Sequence, residues 1–166
     1  NPVVFLNNKG KLFLVWMAVQ GNMWEGSILR TRTTTNYNNP GAPVWEWQDN
    51  IFIKPGGEFV AEIEKQFKEM PELEHGWAGY APLYDDMIKD ASKDKIKRSI
   101  GWMPRIKPLI LSSGRIILPL YSDGFNLSIC AISDDDGETW RPSASRCSAS
   151  APGPRASRTV SRRSRE

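Results

Sequence analysis

The segment Ser133-Asp134-Asp135-Asp136-Gly137-Glu138-Thr139-Trp140 limits what this chain can fold into more than any other stretch. It follows the apolar run Leu127-Ser128-Ile129-Cys130-Ala131-Ile132. After a strand, the Ser133 hydroxyl and the Asp135 carboxylate are suited to accept backbone N–H groups of a turn, as in ST and Asx turns. Gly137 allows the positive φ at which a Cβ would clash. Trp140 then restarts a strand and is expected to bury its ring between neighbouring sheets. Ser133, Asp135, Gly137, Thr139 and Trp140 therefore read as a folding device at a strand-to-strand turn, with no acid or base among them. Three consecutive Asp raise a Ca²⁺ loop as an alternative, but EF-hand spacing and its distant Glu are absent. No metal and no cofactor are expected.

The rest of the chain reads as short strands. Residues 1–53 give four of them: Pro2–Leu6, Lys11–Val19 after the turn signal Asn7-Asn8-Lys9-Gly10, Glu25–Thr34, and Val44–Ile53. Trp45 and Trp47, two apart, are expected on one face of the last. Residues 107–142 repeat the plan: Lys107–Leu111, the turn Ser112-Ser113-Gly114, Arg115–Tyr121, Phe125–Ser133, then the Ser/Asp/Gly/Trp segment. Both halves open on Pro and aliphatics, pass a polar turn with Gly and a basic residue, and end an apolar strand on an aromatic. The spacing from Pro to Gly differs by two residues, so the repeat is loose. Four antiparallel strands joined by short turns make one propeller blade, and internal repetition is the mark of a repeated fold. The expected class is all-β, a fragment of a propeller.

Between the halves, about residues 55–102, the texture changes. Phe59, Val60, Ile63, Phe67 and Met70 recur at helical spacing over Glu58–Met70, with Pro71 as a stop. A second helix is expected from about Pro82 to Arg98, with Asp85 and Asp86 near its start and Lys93, Lys95, Lys97 and Arg98 near its end. An amphipathic pair of this kind can bind a partner or a membrane surface. Its interleaved acids and lysines favour an insertion packed over a blade or beside a site.

Charge and cysteine usage are less informative. The net charge is +3, but the six Arg and lone Glu166 from Ser143 onward contribute +5, which leaves −2 for residues 1–142. That tail, rich in Ser, Arg and Pro, is expected to be disordered, as a linker or an artefactual gene end, because it cannot offset its own ordering entropy. A basic arm for nucleic acid is the rival reading; no nucleic-acid partner is expected. Cys130 reads as a small core residue and Cys147 falls in the tail, so no disulfide is expected. No apolar run reaches the roughly 18–20 residues of a membrane span, so no membrane insertion is expected, and no signal peptide is visible.

Over most of residues 1–142 the chain resembles the bacterial sialidase (neuraminidase)-like family built on Asp-box repeats. The 133–140 segment matches that box, and three further stretches carry the resemblance. They are Gly10-Lys11-Leu12-Phe13-Leu14-Val15-Trp16 with Gly21-Asn22-Met23-Trp24-Glu25, then Gly101-Trp102-Met103-Pro104-Arg105-Ile106-Lys107-Pro108, then Gly114–Gly124. The first half departs from the pattern, because Thr33 to Trp45 holds no matching Ser-x-Asp-x-Gly.

The resemblance implies a six-bladed propeller, secretion or a periplasmic location, and hydrolysis of terminal sialic acid or a related acidic sugar. In that family an arginine cluster holds the sugar carboxylate, a Tyr assisted by a Glu is the nucleophile, and an Asp is the acid/base. Arg suits planar bidentate recognition of carboxylate. A neutral Tyr avoids a second carboxylate against an anionic sugar. Carried onto this chain, Arg105 is the carboxylate-clamp candidate, with Lys107 beside it. Tyr121 and Asp123, on one strand face with Ile117 and Pro119, are catalytic candidates. Trp24 and Glu25 form a possible sugar-stacking and hydrogen-bonding pair, and His75 lies in the inserted loop. Two to two and a half blades cannot close a ring, so further arginines and the nucleophile–Glu pair are expected in other sequence. The alternative is a carbohydrate-binding propeller without catalysis, or an enzyme of other glycan specificity on the same scaffold.

Overall fold

β-branched and aromatic residues at period two build the first sheet, whose strands follow one another in space as in sequence. β1 (Val3–Leu6), β2 (Leu12–Gln20), β3 (Met23–Thr34) and β4 (Trp47–Asn50) pair antiparallel in the order β1-β2-β3-β4. The computed structural model describes residues 2–70 and 81–143. The expectations for Pro71, His75, Cys147 and residues 144–166 lie outside them. Gly21 and Asn22, both at positive φ (62° and 60°), close the β2–β3 hairpin with the two left-handed residues that a type I′ turn requires. β4 is shorter than the expected Val44–Ile53, and Trp45 lies outside it.

The second sheet runs β5 (Met103–Pro104), β7 (Ile116–Ser122), β8 (Leu127–Ser133), β9 (Arg141–Pro142), with β6 (Leu109–Ile110) also on the free side of β7. β5 was not expected; with β6 it makes one interrupted edge strand along β7. Between the sheets the chain forms α1 (Gly57–Glu69), α2 (Ala81–Lys93) and a 3-10 turn, Lys97–Ser99.

The second helix stops five residues earlier than Arg98, for a local reason. The Asp94 carboxylate accepts the amides of Ile96 (2.8 Å) and Lys97 (3.1 Å), which turns the backbone out of the helix. Arg98 folds back to donate to the carbonyls of Ser92 (3.1 Å), Lys93 (3.2 Å) and Pro55 (2.7 Å), so it caps the helix from beyond its end. Of the four basic residues expected near the helix end, only Lys93 lies in its last turn, and no acidic residue lies in its first.

The repeat is tighter in three dimensions than in sequence. In the first hairpin the Asn7 amide donates to the Lys11 carbonyl (3.0 Å) and the Gly10 amide to the Asn7 carbonyl (3.1 Å). In the second, Leu111 donates to Arg115 and Gly114 to Leu111, each at 2.9 Å. Gly10 and Gly114 share positive φ (74° and 88°). This equates Phe5 with Leu109, Phe13 with Ile117, Leu14 with Leu118 and Trp16 with Leu120, and the cross-strand registers agree. The prolines Pro2 and Pro108 are not equivalent.

The two sheets meet through different faces. The first buries Phe5, Phe13 and Val15, whereas the second buries Leu118 and Leu120, the equivalents of Leu14 and Trp16. A pseudo-twofold sandwich would pair equivalent faces. Head-to-tail stacking of like sheets instead repeats one contact in one direction, as neighbouring blades do. Helix α1 adds Phe59 and Ile63 to the same core, where Phe59 meets Trp102 and Phe125 edge-on at 6.1 and 5.4 Å.

Candidate functional site

At one end of the paired sheets lie the turns that bind them together. The Ser133 hydroxyl accepts the Gly137 amide (2.8 Å) and donates to the Asp135 carboxylate (2.8 Å). Asp135 in turn accepts the Thr139 amide (2.9 Å) and the Thr139 hydroxyl. Burial pushes the Asp135 carboxyl up, but these bonds outweigh it and leave it below the usual carboxylate range. Gly137 has φ +87°, and the half-buried Trp140 donates its indole N–H back to the Gly137 carbonyl (3.0 Å). The turn has the local bonding expected of it. It also reaches the first sheet: Lys9 pairs with Asp136, and Lys11 with Glu138 at 2.8 Å.

Register uncovers a degenerate copy of this turn in the first sheet. Thr34 pairs with Leu12 as Ser133 pairs with Ile116, and both hydroxyl residues are 1% exposed. The Thr34 hydroxyl accepts the Asn36 amide (2.8 Å), and the Asn36 side chain accepts from Asn39 (2.7 Å). Thr34-x-Asn36 therefore occupies the place of Ser133-x-Asp135. The sequence signal was a hydroxyl and an amide two apart at the strand end.

The opposite end gathers the candidate site residues. Between Pro104 and Leu109 the edge strand carries four residues where β7 has two, so a two-residue bulge forms over Arg105–Pro108. Prolines at both ends withhold amide donors and help keep it out of the ladder. The bulge leaves Arg105 and Lys107 exposed and sets the Arg105 guanidinium 4.8 Å from the centre of the Tyr121 ring. Tyr121 lies on the half-buried face with Ile117 and Pro119, and its hydroxyl donates to Asn126 (2.6 Å) in the β7–β8 turn. Among the described residues Arg105 has no carboxylate partner within ion-pair distance.

Glu25 is brought to the same end. A Cβ at Gly101 would stand 2.5 Å from the Glu25 carbonyl oxygen, and one at Gly124 would stand 2.9 Å from the Glu25 Cβ. Two glycines thus let the start of β3 pass between the second sheet's entry strand and its β7–β8 turn. The exposed side chain of Glu25 stands beside the turn that carries Asp123. Trp24 and Glu25 are both exposed on β3, where strand alternation directs neighbouring side chains to opposite faces.

Sequence reasoning missed Tyr84, on α2. Burial, then the neighbouring Tyr121, Asp123 and Asp85, push its phenol up, so it stays neutral and able to donate. Asn126 was also missed, and Gly101 and Gly124, though both stand in stretches that carry the resemblance, were not singled out for placing Glu25.

Arg105 offers a planar cation over the Tyr121 phenol, and Glu25 and Asp123 lie at the same end of the sheets. Such a set suits recognition of an anionic hydroxylated ligand. Among the described residues no cluster of His, Cys, Asp and Glu is arranged to hold a metal ion, and no helix is long and apolar enough to cross a membrane. Comparisons with family models, with curated proteins and with solved structures find no match to the chain.

Proposed function

We propose that the two sheets are neighbouring blades of a six-bladed propeller belonging to a secreted or periplasmic sialidase-like glycoside hydrolase. Its substrate is terminal sialic acid or a related acidic sugar on a glycan. The observation that carries this reading is the bulge that stations Arg105 over Tyr121, with Glu25 and Asp123 at the same end of the sheets. In this reading Arg105 meets the sugar carboxylate, assisted by the exposed Lys107. Tyr121 supplies a hydroxyl to the anomeric region, and Asp123 moves the proton. Head-to-tail stacking, and a second, degenerate copy of the Ser/Asp turn, support the blade assignment. A propeller that binds acidic glycans without cleaving them is the second reading. It is favoured by Arg105 being the one guanidinium at this end without a carboxylate partner among the described residues, where a tight clamp would use several.

The test is release of a fluorogenic aglycone from a sialoside by the wild-type protein and by Arg105→Ala. Loss of charge-assisted bonds worth about 1.5–3 kcal/mol predicts a drop of about ten- to a hundredfold. Undiminished release would remove Arg105 from the clamp. Binding of free sialic acid without release would select the second reading.

A further inference from the structure

We propose that the groove between residues 52–56 and 95–100 docks a short acidic segment of a partner protein, one apolar side chain of which fills the groove. Both walls belong to the helical insertion: one leads into α1, and the other follows α2 through the 3-10 turn. The groove measures about 450 Å³, within the roughly 300–1,000 Å³ of ligand clefts. Buried Pro55 and half-buried Ile100 form its floor. Phe52, 43% exposed, and Ile96, 73% exposed, stand at its rim.

Charge selects the occupant. Lys54, Lys95 and Arg98 line the groove with no acidic residue among them, and Lys97 adjoins it in the 3-10 turn. Elsewhere on the insertion Lys65, Lys89 and Lys93 each lie within ion-pair distance of a carboxylate. Among the described residues, none of the four cations at the groove does. The acids next to the walls are committed to backbone amides: Glu58 accepts that of Gly56 (3.0 Å), and Asp94 those of Ile96 and Lys97. Four cations against two committed carboxylates leave an excess of positive charge around an apolar floor. The charge attracts an anionic partner, and the floor distinguishes an apolar side chain from a bare anion. Concavity favours an inserted side chain over a bilayer, whose flat surface does not follow a recess. The groove shares no residue with the Arg105 end, so the inference stands independently of what sugar, if any, the chain binds.

Fluorescence anisotropy tests it with the full chain and a labelled peptide, Glu-Glu-Leu-Glu-Phe-Glu-Glu. Two control peptides carry Gln for every Glu, or Gly for Leu and Phe. The wild type is expected to bind the first peptide and neither control, and to bind it less tightly as salt rises. Lys54→Glu combined with Lys95→Glu is expected to weaken binding about tenfold. Ile96→Ser, at a side chain that already faces solvent, is expected to weaken it about fivefold. Circular dichroism like that of the wild type establishes that the variants are folded. Absent binding, equal binding of either control peptide, or undiminished binding by either variant overturns the proposal. Cosedimentation with phosphatidylserine vesicles that the same substitutions abolish, without binding of the peptide, would assign the surface to a membrane instead.

Discussion

Gly137, in the turn of the second sheet, lies against the ring of Phe13 in the first: a Cβ there would stand 2.5 Å from Phe13 Cε1 and 2.8 Å from Cζ. Its φ of +87° is a second reason for glycine. The local device that ends β8 is thus also a point where the two sheets touch. Gly137→Ala is expected to cost about 2–4 kcal/mol, combining left-handed strain with overpacking. Gly114→Ala, at φ +88° with open space around it, isolates the strain and is expected to cost about 1–2 kcal/mol. Urea unfolding of both measures the difference.

Acid should loosen the same turn. The Asp135 carboxyl is held low by its bonds to Thr139 and Ser133, which outweigh its burial, and that of Asp134 is held low chiefly by Arg115. A carboxyl depressed in the folded state contributes stability above its unfolded pKa and loses it as pH falls through the folded value. Thermal midpoints are therefore expected to fall as pH drops below about 4. Asp135→Asn should start lower at neutral pH and show a shallower acid slope. An unchanged slope would mean that the carboxylate is not the sensor.

Trp102 ties the helical insertion to the second sheet. It is 1% exposed, stacks on Phe125 at 5.8 Å and donates to the Arg98 carbonyl at 2.9 Å. Trp102→Ala is expected to cost about 3–5 kcal/mol. Trp102→Phe keeps ring packing but strands that carbonyl, and should cost less. Amide exchange should accelerate in α1 and α2 before the sheets in both variants.

Tyr121→Phe separates chemistry from placement at the candidate site. The ring that Arg105 covers is kept, while the hydroxyl and its bond to Asn126 are lost. If Tyr121 reacts with the sugar, turnover of a sialoside should fall about a hundredfold or more with binding little changed. A loss of binding with turnover of the bound fraction preserved would make the hydroxyl a holding group.

Legibility in the sequence followed the range of the forces involved. The Ser133–Trp140 turn was readable because its hydrogen bonds close within seven residues, and the strands of both sheets because apolar residues alternate along them. The α2 terminus was misjudged because Asp94 offers the backbone a competing set of bonds that helical periodicity does not register. The degenerate turn at Thr34 and Asn36 was hidden because Thr and Asn preserve the hydrogen-bonding roles while changing the letters of the motif.

The candidate site was legible only in part. Arg105 and Tyr121 stood out singly, but their contact depends on two surplus residues in an edge strand, which no local pattern reports. Glu25 was paired with Trp24 by adjacency, yet strand alternation sends the two apart, and it is Gly101 and Gly124, remote in sequence, that place Glu25 beside Asp123.

By itself, then, the sequence determined the turns, the strands and the identity of a repeated unit, because those follow from bonds between near neighbours and from side-chain period. Only the tertiary structure decided which face of each sheet is buried and which residues share an end. Those depend on how two separate sheets stack, a contact between residues more than a hundred positions apart, of which Gly137 on Phe13 is one instance.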